Sequence, residues 1–150
     1  MRLLLDTNVM LDIFAARKEF YHEALALKIM GLSQDAELWV SAKSFTDVFY
    51  LMKNRGKYES DSIQDIFLEN LEYLHVCKVE QEDIVESAKM KWPDFEDCLV
   101  ARCAEKVKAD VLITRDRKGF EQASVKSCSP VTFFEMLERE HGIVYDEIAW

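Results

Sequence analysis

Short apolar runs alternate along the chain with longer segments in which apolar residues recur every three or four positions. The short runs predict strands, since they are four to six residues long and rich in Leu and Val. They cover residues 2–5, 37–40, 74–79, 110–114 and 124–128. The first run, RLLL, does not alternate with polar residues, which is typical of a strand buried on both faces of a parallel sheet.

The longer segments carry the apolar stripe of an amphipathic helix. Between the first two strands, for example, Phe20, Ala24, Leu27 and Met30 fall on one helical face. The predicted helices cover residues 19–32, 42–52, 60–71, 81–90, 95–107 and 131–139. Strands separated by helices predict a parallel sheet covered on both faces, so we expect one α/β domain over residues 1–150.

Composition supports a folded, helix-rich chain. Of the 150 residues 49% are hydrophobic, and only four are Gly and two Pro. No apolar stretch reaches the roughly 18 residues of a membrane span, and Asp6 and Asp12 interrupt the start of the chain where a signal peptide would be apolar. We therefore expect a cytoplasmic protein that does not enter a membrane.

Cysteine and charge narrow the function classes. The four cysteines form no CxxC pair and have no neighbouring histidine, so we expect reduced, partly buried thiols and neither a zinc site nor disulfides. The net charge of −9 argues against a broad basic face for duplex nucleic acid, but not against a local basic patch.

Four acidic residues stand where predicted strands end or predicted helices begin. Asp6 follows the first strand, and Asp116 lies two residues beyond the strand that ends at Thr114. Asp47 lies early in the helix after the second strand, and Asp97 lies in the first turn of a later helix. In a parallel sheet these places share one edge, so the four carboxylates are expected to gather there.

Each of these acids also has an ordinary structural explanation. Asp6 and Asp94 can cap helices, with Asp97 at the third position after the Asp94 cap. Asp116 can stabilise a turn, and Asp47 can be a solvated helix residue. Capping, however, does not require carboxylates from four distant segments to lie at the same edge.

Carboxylates that lie close together need a cation to offset their mutual repulsion. Two of them about 4 Å apart repel by about 4 kcal/mol at an effective dielectric of 20. Oxygen ligands without histidine or thiolate neighbours favour Mg²⁺ or Mn²⁺, and such sites suit phosphodiester hydrolysis.

Four segments in this order, DTNVMLDIF, SAKSFTDV, DFEDCLVARCAE and LITRDRKGF, resemble the PIN domain, and the match covers nearly the whole chain. The members most similar in length are VapC-type endoribonuclease toxins and uncharacterised bacterial and archaeal relatives. The resemblance implies a three-layer α/β/α sandwich with a central, mostly parallel sheet, and Mg²⁺- or Mn²⁺-dependent hydrolysis of single-stranded or structured RNA.

The resemblance also implies roles for the acids. Asp6, Asp97 and Asp116 match metal ligands of the family. Asp47 completes the catalytic set where the family most often has glutamate, and its shorter side chain is expected to act through a water.

Further residues have expected roles beside these acids. Thr7, Asn8 and Thr114 match small polar positions that orient the carboxylates or the water, and Asp94 and Glu96, the additional acids of the DFED stretch, are candidates for a supporting role only. Arg115, Arg117 and Lys118 flank Asp116 and are expected to hold phosphates of the substrate.

The resemblance and the C-terminal residues also indicate binding partners. An antitoxin protein is implied by the resemblance, and a homodimer is expected, with Trp150 either joining that contact or folding back on the core.

The alternative function is a catalytically weak PIN-like module that binds RNA or protein, motivated by Asp47 and by the acidic surface. A phosphatase with an aspartyl nucleophile is a weaker option, because it usually needs a second aspartate where this chain has Asn8.

Overall fold

The computed structural model describes residues 1–55 and 58–145. The strands are β1 (Arg2–Leu5), β2 (Glu37–Ser41), β3 (Leu74–Cys77), β4 (Val111–Ile113) and β5 (Ser127–Cys128). The α-helices are α1 (Thr7–Phe14), α2 (Tyr21–Leu32), α3 (Ala42–Asn54), α4 (Ser60–Asn70), α5 (Gln81–Met90), α6 (Phe95–Lys106) and α7 (Pro130–His141). Two single turns of 3₁₀-helix lie at Lys18–Phe20 and Lys118–Phe120.

The five strands form one parallel sheet in the order β3-β2-β1-β4-β5. The central strand β1 pairs with β2 on one side and with β4 on the other. The chain therefore adds β2 and β3 on one side of β1, and then adds β4 and β5 on the other side. Ligand crevices of open α/β sheets form at such a reversal, at the carboxyl ends of the strands.

Helices cover both faces of the sheet, which confirms the predicted three-layer α/β/α fold. Leu3 and Leu5 of β1 pack into a cluster that includes residues of α1, α2, α3, α4 and α7. Leu4 points to the other face and packs with residues of α6 such as Val100 and Ala104. Because β1 is buried on both faces, its apolar residues run without a break.

All five predicted strands are present, and the largest differences lie at the two edges of the sheet. The predicted strand over 124–128 is reduced to β5, which pairs with β4 alone, and the one over 74–79 ends at Cys77. After β3 the chain turns away, and the carbonyl of Lys78 accepts a hydrogen bond from Lys106. Apolar runs overestimate edge strands because Val79 and Val125 pack on the core without joining the ladder.

Helix α6, which carries Asp97, is held against α5 by a buried carboxylate. Asp83 of α5 is 3% exposed and accepts hydrogen bonds from Arg102 and Lys106 of α6, each at 2.6 Å. Burial opposes ionisation of Asp83, but the bonds from Lys106, the Glu80 amide and Arg102 outweigh it and lower its pKa to about 2. The second half of α6 is thereby fixed against α5.

Two further predictions concern the chain as a whole. Cys77, Cys98, Cys103 and Cys128 are all buried and free, as expected. Among the described residues no helix is both long and apolar enough to span a bilayer.

Candidate functional site

Asp6 lies at the carboxyl end of β1 and is the N-cap of α1. It is 4% exposed; its Oδ1 accepts the amide of Thr7 at 2.7 Å and its Oδ2 accepts the hydroxyl of Thr114 at 2.8 Å. Burial raises the pKa of Asp6, although both hydrogen bonds oppose that rise. Capping therefore occupies one carboxylate oxygen, while the other joins β1 to the end of β4.

Thr114 links Asp6 to Asp116. Its side chain is fully buried, and its Oγ1 accepts the amide of Asp116 at 2.9 Å while its hydroxyl donates to Asp6. Asp116 in turn accepts the amide of Gly119 at 3.1 Å. The predicted turn and the predicted gathering of carboxylates thus occur together at Asp116.

Asp97 approaches the same place from α6. A Cβ atom added at Gly119 would lie 2.6 Å from Asp97 Oδ2 and 2.8 Å from Asp116 Oδ2, so both oxygens face the space that a larger residue would fill. Burial, and after it the carboxylates of Asp94, Asp6 and Asp116, together raise the pKa of Asp97 to about 7. Because Asp6 and Asp116 contribute to this rise, both lie within electrostatic reach of Asp97.

Asp47 also reaches this edge, but it meets Glu96 and a lysine. Lys43 Nζ, one helical turn before Asp47 on α3, lies 2.7 Å from Asp47 Oδ2 and 3.9 Å from Glu96 Oε2. Glu96 Oε1 accepts the hydroxyl of Thr7 at 2.9 Å, and Ser44 Oγ lies 2.8 Å from that hydroxyl. Burial raises the pKa of Glu96, and the Asp47 carboxylate adds to the rise against the bond from Thr7.

We call this region the acidic edge, defined by five residues at the carboxyl end of the sheet: Asp6, Asp47, Glu96, Asp97 and Asp116. The predicted acids all lie on it, together with Glu96, which belongs to the DFED segment. Lys43, Ser44 and Gly119 were missing from the predicted site. Two sequence signals could have identified the first two of these residues. Lys43 lies four residues before Asp47 on one helix, and Ser44 lies on the buried face of that helix.

The two remaining supporting residues have clear positions. Asp94 is the N-cap of α6 and accepts the amide of Asp97 at 3.1 Å, as its capping interpretation predicts. Asn8, in the first turn of α1, has a buried side-chain oxygen that accepts no hydrogen bond from the described residues. A buried acceptor without a donor is costly, and an ion or water nearby would satisfy it.

The acids provide hard oxygen donors of the kind Mg²⁺ and Mn²⁺ prefer. In the described part of the chain, however, no three His, Cys, Asp or Glu side chains are grouped closely enough to hold a metal ion as they stand. The donor set fits a divalent cation chemically, and Asp97 and Asp116 each turn one oxygen toward the space beside Gly119.

The basic residues around Asp116 differ in their surroundings. Arg115 donates from Nε and Nη2 to the buried Asp12 at 2.9 and 3.3 Å, and its guanidinium lies 3.9 Å above the ring of Phe20. Arg117 and Lys118 are exposed and form no ion pair within the described residues. The expected phosphate contact therefore has two open cations, while the third is engaged with α1.

Sequence comparison adds an independent finding. A family model described as PIN domain matches residues 2–118, which is most of the chain and includes Asp6, Asp47, Asp97 and Asp116. Among curated proteins, no sequence matches the chain.

Solved structures with the same fold come from several organisms. VapBC2 from Rickettsia felis, bound to a promoter DNA fragment, aligns with a TM-score of 0.63 and 15% identity over 86% of this chain and 98% of that chain. A toxin–antitoxin complex from Klebsiella pneumoniae gives 0.60 and 20%, over 85% and 97% of the two chains. VapBC-1 from nontypeable Haemophilus influenzae gives 0.61 and 20%, over 87% and 99%. At these identities the likeness establishes the fold.

Proposed function

The chain belongs to the PIN-domain family, and from this premise we propose that it is an Mg²⁺- or Mn²⁺-dependent endoribonuclease that hydrolyses RNA phosphodiester bonds. The observation that supports the proposal is that Asp97 Oδ2 and Asp116 Oδ2 both face the space beside Gly119, next to Thr114, which bonds Asp6. Burial together with neighbouring carboxylates raises the pKa of Asp97 to about 7, and a strongly shifted acid in such surroundings is typical of a functional site.

The residues of the acidic edge fit a hard divalent cation. Asp6, Asp97 and Asp116 would hold it, and the absent side chain of Gly119 leaves room beside two of their oxygens. When bound, such a cation lowers the pKa of an attacking water and neutralises charge on the leaving oxygen.

The chain's own residues position these groups. Thr114 donates its hydroxyl to the Asp6 carboxylate and accepts the backbone amide of Asp116, so a single side chain joins the two segments. Asp94 fixes the first turn of α6, which carries Asp97. Arg117 and Lys118, exposed beside Asp116, would hold phosphates of the substrate.

We further propose an antitoxin partner, a homodimer and a cytoplasmic location. Support for the antitoxin comes from the structural relatives named as toxin–antitoxin complexes. The C-terminal contact predicted for Trp150 lies outside the described residues.

Substitution of two acids tests the nuclease proposal. The Asp6→Asn, Asp97→Asn variant keeps the capping oxygen at Asp6 and removes two negative charges, so it should remain folded and lose cleavage entirely. Cleavage is measured with Mn²⁺ on a random-sequence RNA pool and on total cellular RNA, and folding by circular dichroism.

A control with the same change in charge separates catalysis from electrostatics. Asp61→Asn, Asp65→Asn alters two exposed acids of α4 and should leave cleavage unchanged. Full activity of the Asp6, Asp97 variant would overturn the proposal, and so would a wild-type chain that cleaves neither RNA preparation.

The second candidate function is a catalytically weak RNA- or protein-binding regulatory module. It is favoured by one specific observation, the ion pair that Lys43 forms with Asp47, which neutralises one of the four expected catalytic acids. A calorimetric titration of wild type that shows no Mn²⁺ binding would support this function over the nuclease.

A further inference from the structure

Lys43 divides the acidic edge into two unequal halves. Its ammonium group lies 2.7 Å from Asp47 Oδ2 and 3.9 Å from Glu96 Oε2, so one side chain of α3 contacts carboxylates on two helices. The lysine side chain is 40% exposed, and both carboxylate side chains are partly buried. This geometry gives one half of the acidic edge a cation that is part of the chain.

Both carboxylates of the Asp47–Glu96 half have polar partners. Glu96 uses Oε1 for the hydroxyl of Thr7 at 2.9 Å and faces Lys43 with Oε2. Asp47 uses Oδ2 for Lys43. An ammonium group has three donors, enough for both carboxylates and a water.

The other half has no such cation. Within the described ranges, no lysine or arginine forms an ion pair with Asp6, Asp97 or Asp116. Arg115 follows Thr114 directly, but its guanidinium is bound to Asp12 on α1. Three carboxylates from three segments therefore lie at this edge without an ion pair to any described lysine or arginine.

We propose that Lys43 is the resident cation of the Asp47–Glu96 pair, so that the acidic edge takes a single divalent ion, held by Asp6, Asp97 and Asp116. The inference rests on the proposed function, because it assumes that the acids bind a metal. Two-metal sites place their ions about 3.5–4 Å apart, and a lysine over one carboxylate pair occupies the region that a second ion would need. Lys43 is thus a positioning residue that sets how many ions bind.

Counting bound Mn²⁺ tests this inference without any measurement of cleavage. Free Mn²⁺ is followed by electron paramagnetic resonance during titration of wild type, Lys43→Gln and Lys43→Arg in the absence of RNA. Wild type and Lys43→Arg should bind one ion per chain, since both keep a cation at this position. Lys43→Gln should bind two, because its amide leaves Asp47 and Glu96 without a positive charge.

Lys53→Gln provides the matched control. Lys53 lies near the far end of α3, is exposed, and gives the same loss of charge away from the acidic edge. This variant should bind one ion, and circular dichroism confirms that every variant is folded.

The outcomes separate this inference from the proposed function. Two ions in wild type, or one ion in Lys43→Gln, would overturn the role of Lys43 while leaving the nuclease proposal intact. A wild-type chain that neither binds Mn²⁺ nor cleaves RNA would overturn both.

Discussion

At the scale of single residues, Gly119 is where the acidic edge is most sensitive to a small change. Its φ lies in the ordinary range, so alanine suits the backbone, but the added Cβ would lie 2.6 Å from Asp97 Oδ2 and 2.8 Å from Asp116 Oδ2. Both carboxylates would have to turn away. Gly119→Ala should therefore lower Mn²⁺ affinity by about ten- to hundredfold, measured by calorimetry, with little loss of stability.

Gln122→Ala is the control for this substitution. Gln122 is exposed a few residues further along the same segment, so its variant should bind Mn²⁺ as wild type does. Unchanged Mn²⁺ affinity in Gly119→Ala would show that a bound ion does not use the space beside Asp97 and Asp116.

The sequence predicts the positions of the acidic residues more readily than it predicts which side chains contact them. Asp6, Asp97 and Asp116 are predictable because each stands at a strand end or helix start, and the order of strands in a parallel sheet does not change which edge they share. The engagement of Arg115 is not predictable from its place beside Asp116. Which way that side chain turns depends on Asp12, more than 100 positions earlier in the chain.

At the scale of elements, a buried ion pair ties α1 to the segment after β4. Asp12 is 2% exposed and accepts hydrogen bonds from Arg115 and Arg17. Burial is the main reason that the pKa of Asp12 is raised, with both guanidinium groups opposing the rise. This contact holds the backbone between Thr114 and Asp116 against the first helix.

Arg115→Gln should destabilise the fold, because it leaves the buried Asp12 with Arg17 alone. Breaking a buried pair costs about 3–5 kcal/mol, and partial exposure of Arg115 places this one near about 3 kcal/mol. Arg117→Gln, an exposed change with the same loss of charge, should stay within about 0.5 kcal/mol of wild type. Urea unfolding measures both, and equal stability of the two variants would contradict the structural role of Arg115.

Helices were easier to predict than the edges of the sheet. The stripes over 81–90 and 95–107 correspond closely to α5 and α6, because amphipathic periodicity reports which face is buried. Strand β5 has only two ladder residues, which leaves too short a pattern to set its start.

At the scale of the whole molecule, the path of the chain through the sheet creates the site. Alternation of strands and helices predicts a parallel sheet, yet it does not determine that β4 returns to β1 and not to β3. That return brings Thr114 against Asp6 and makes the acidic edge one region. This arrangement carries an electrostatic free-energy cost, because a chain of net charge −9 brings several of its carboxylates to one place.

This cost should appear as a pH dependence of stability when no metal is present. Folding raises the pKa of Asp97 from its usual 3.8 to about 7, so between these values the folded chain holds a proton that the unfolded chain releases. The resulting stabilisation of the folded chain is complete below about pH 4 and is lost as the pH rises through 7. The raised pKa values of Asp6 and Glu96 also make the folded chain less stable as the pH rises.

In the presence of a chelator, Tm should therefore fall from about pH 5 to about pH 8, by about 2–4 °C for each kcal/mol lost. Asp97→Asn cannot lose a proton and should show a shallower slope, whereas Asp61→Asn on exposed α4 should keep the wild-type slope. Added Mn²⁺ should restore more stability at pH 8 than at pH 5, because binding requires the deprotonated acid. A metal-free Tm that is flat over this range, or an equal slope in Asp97→Asn, would mean that the acids are too far apart to share an ion.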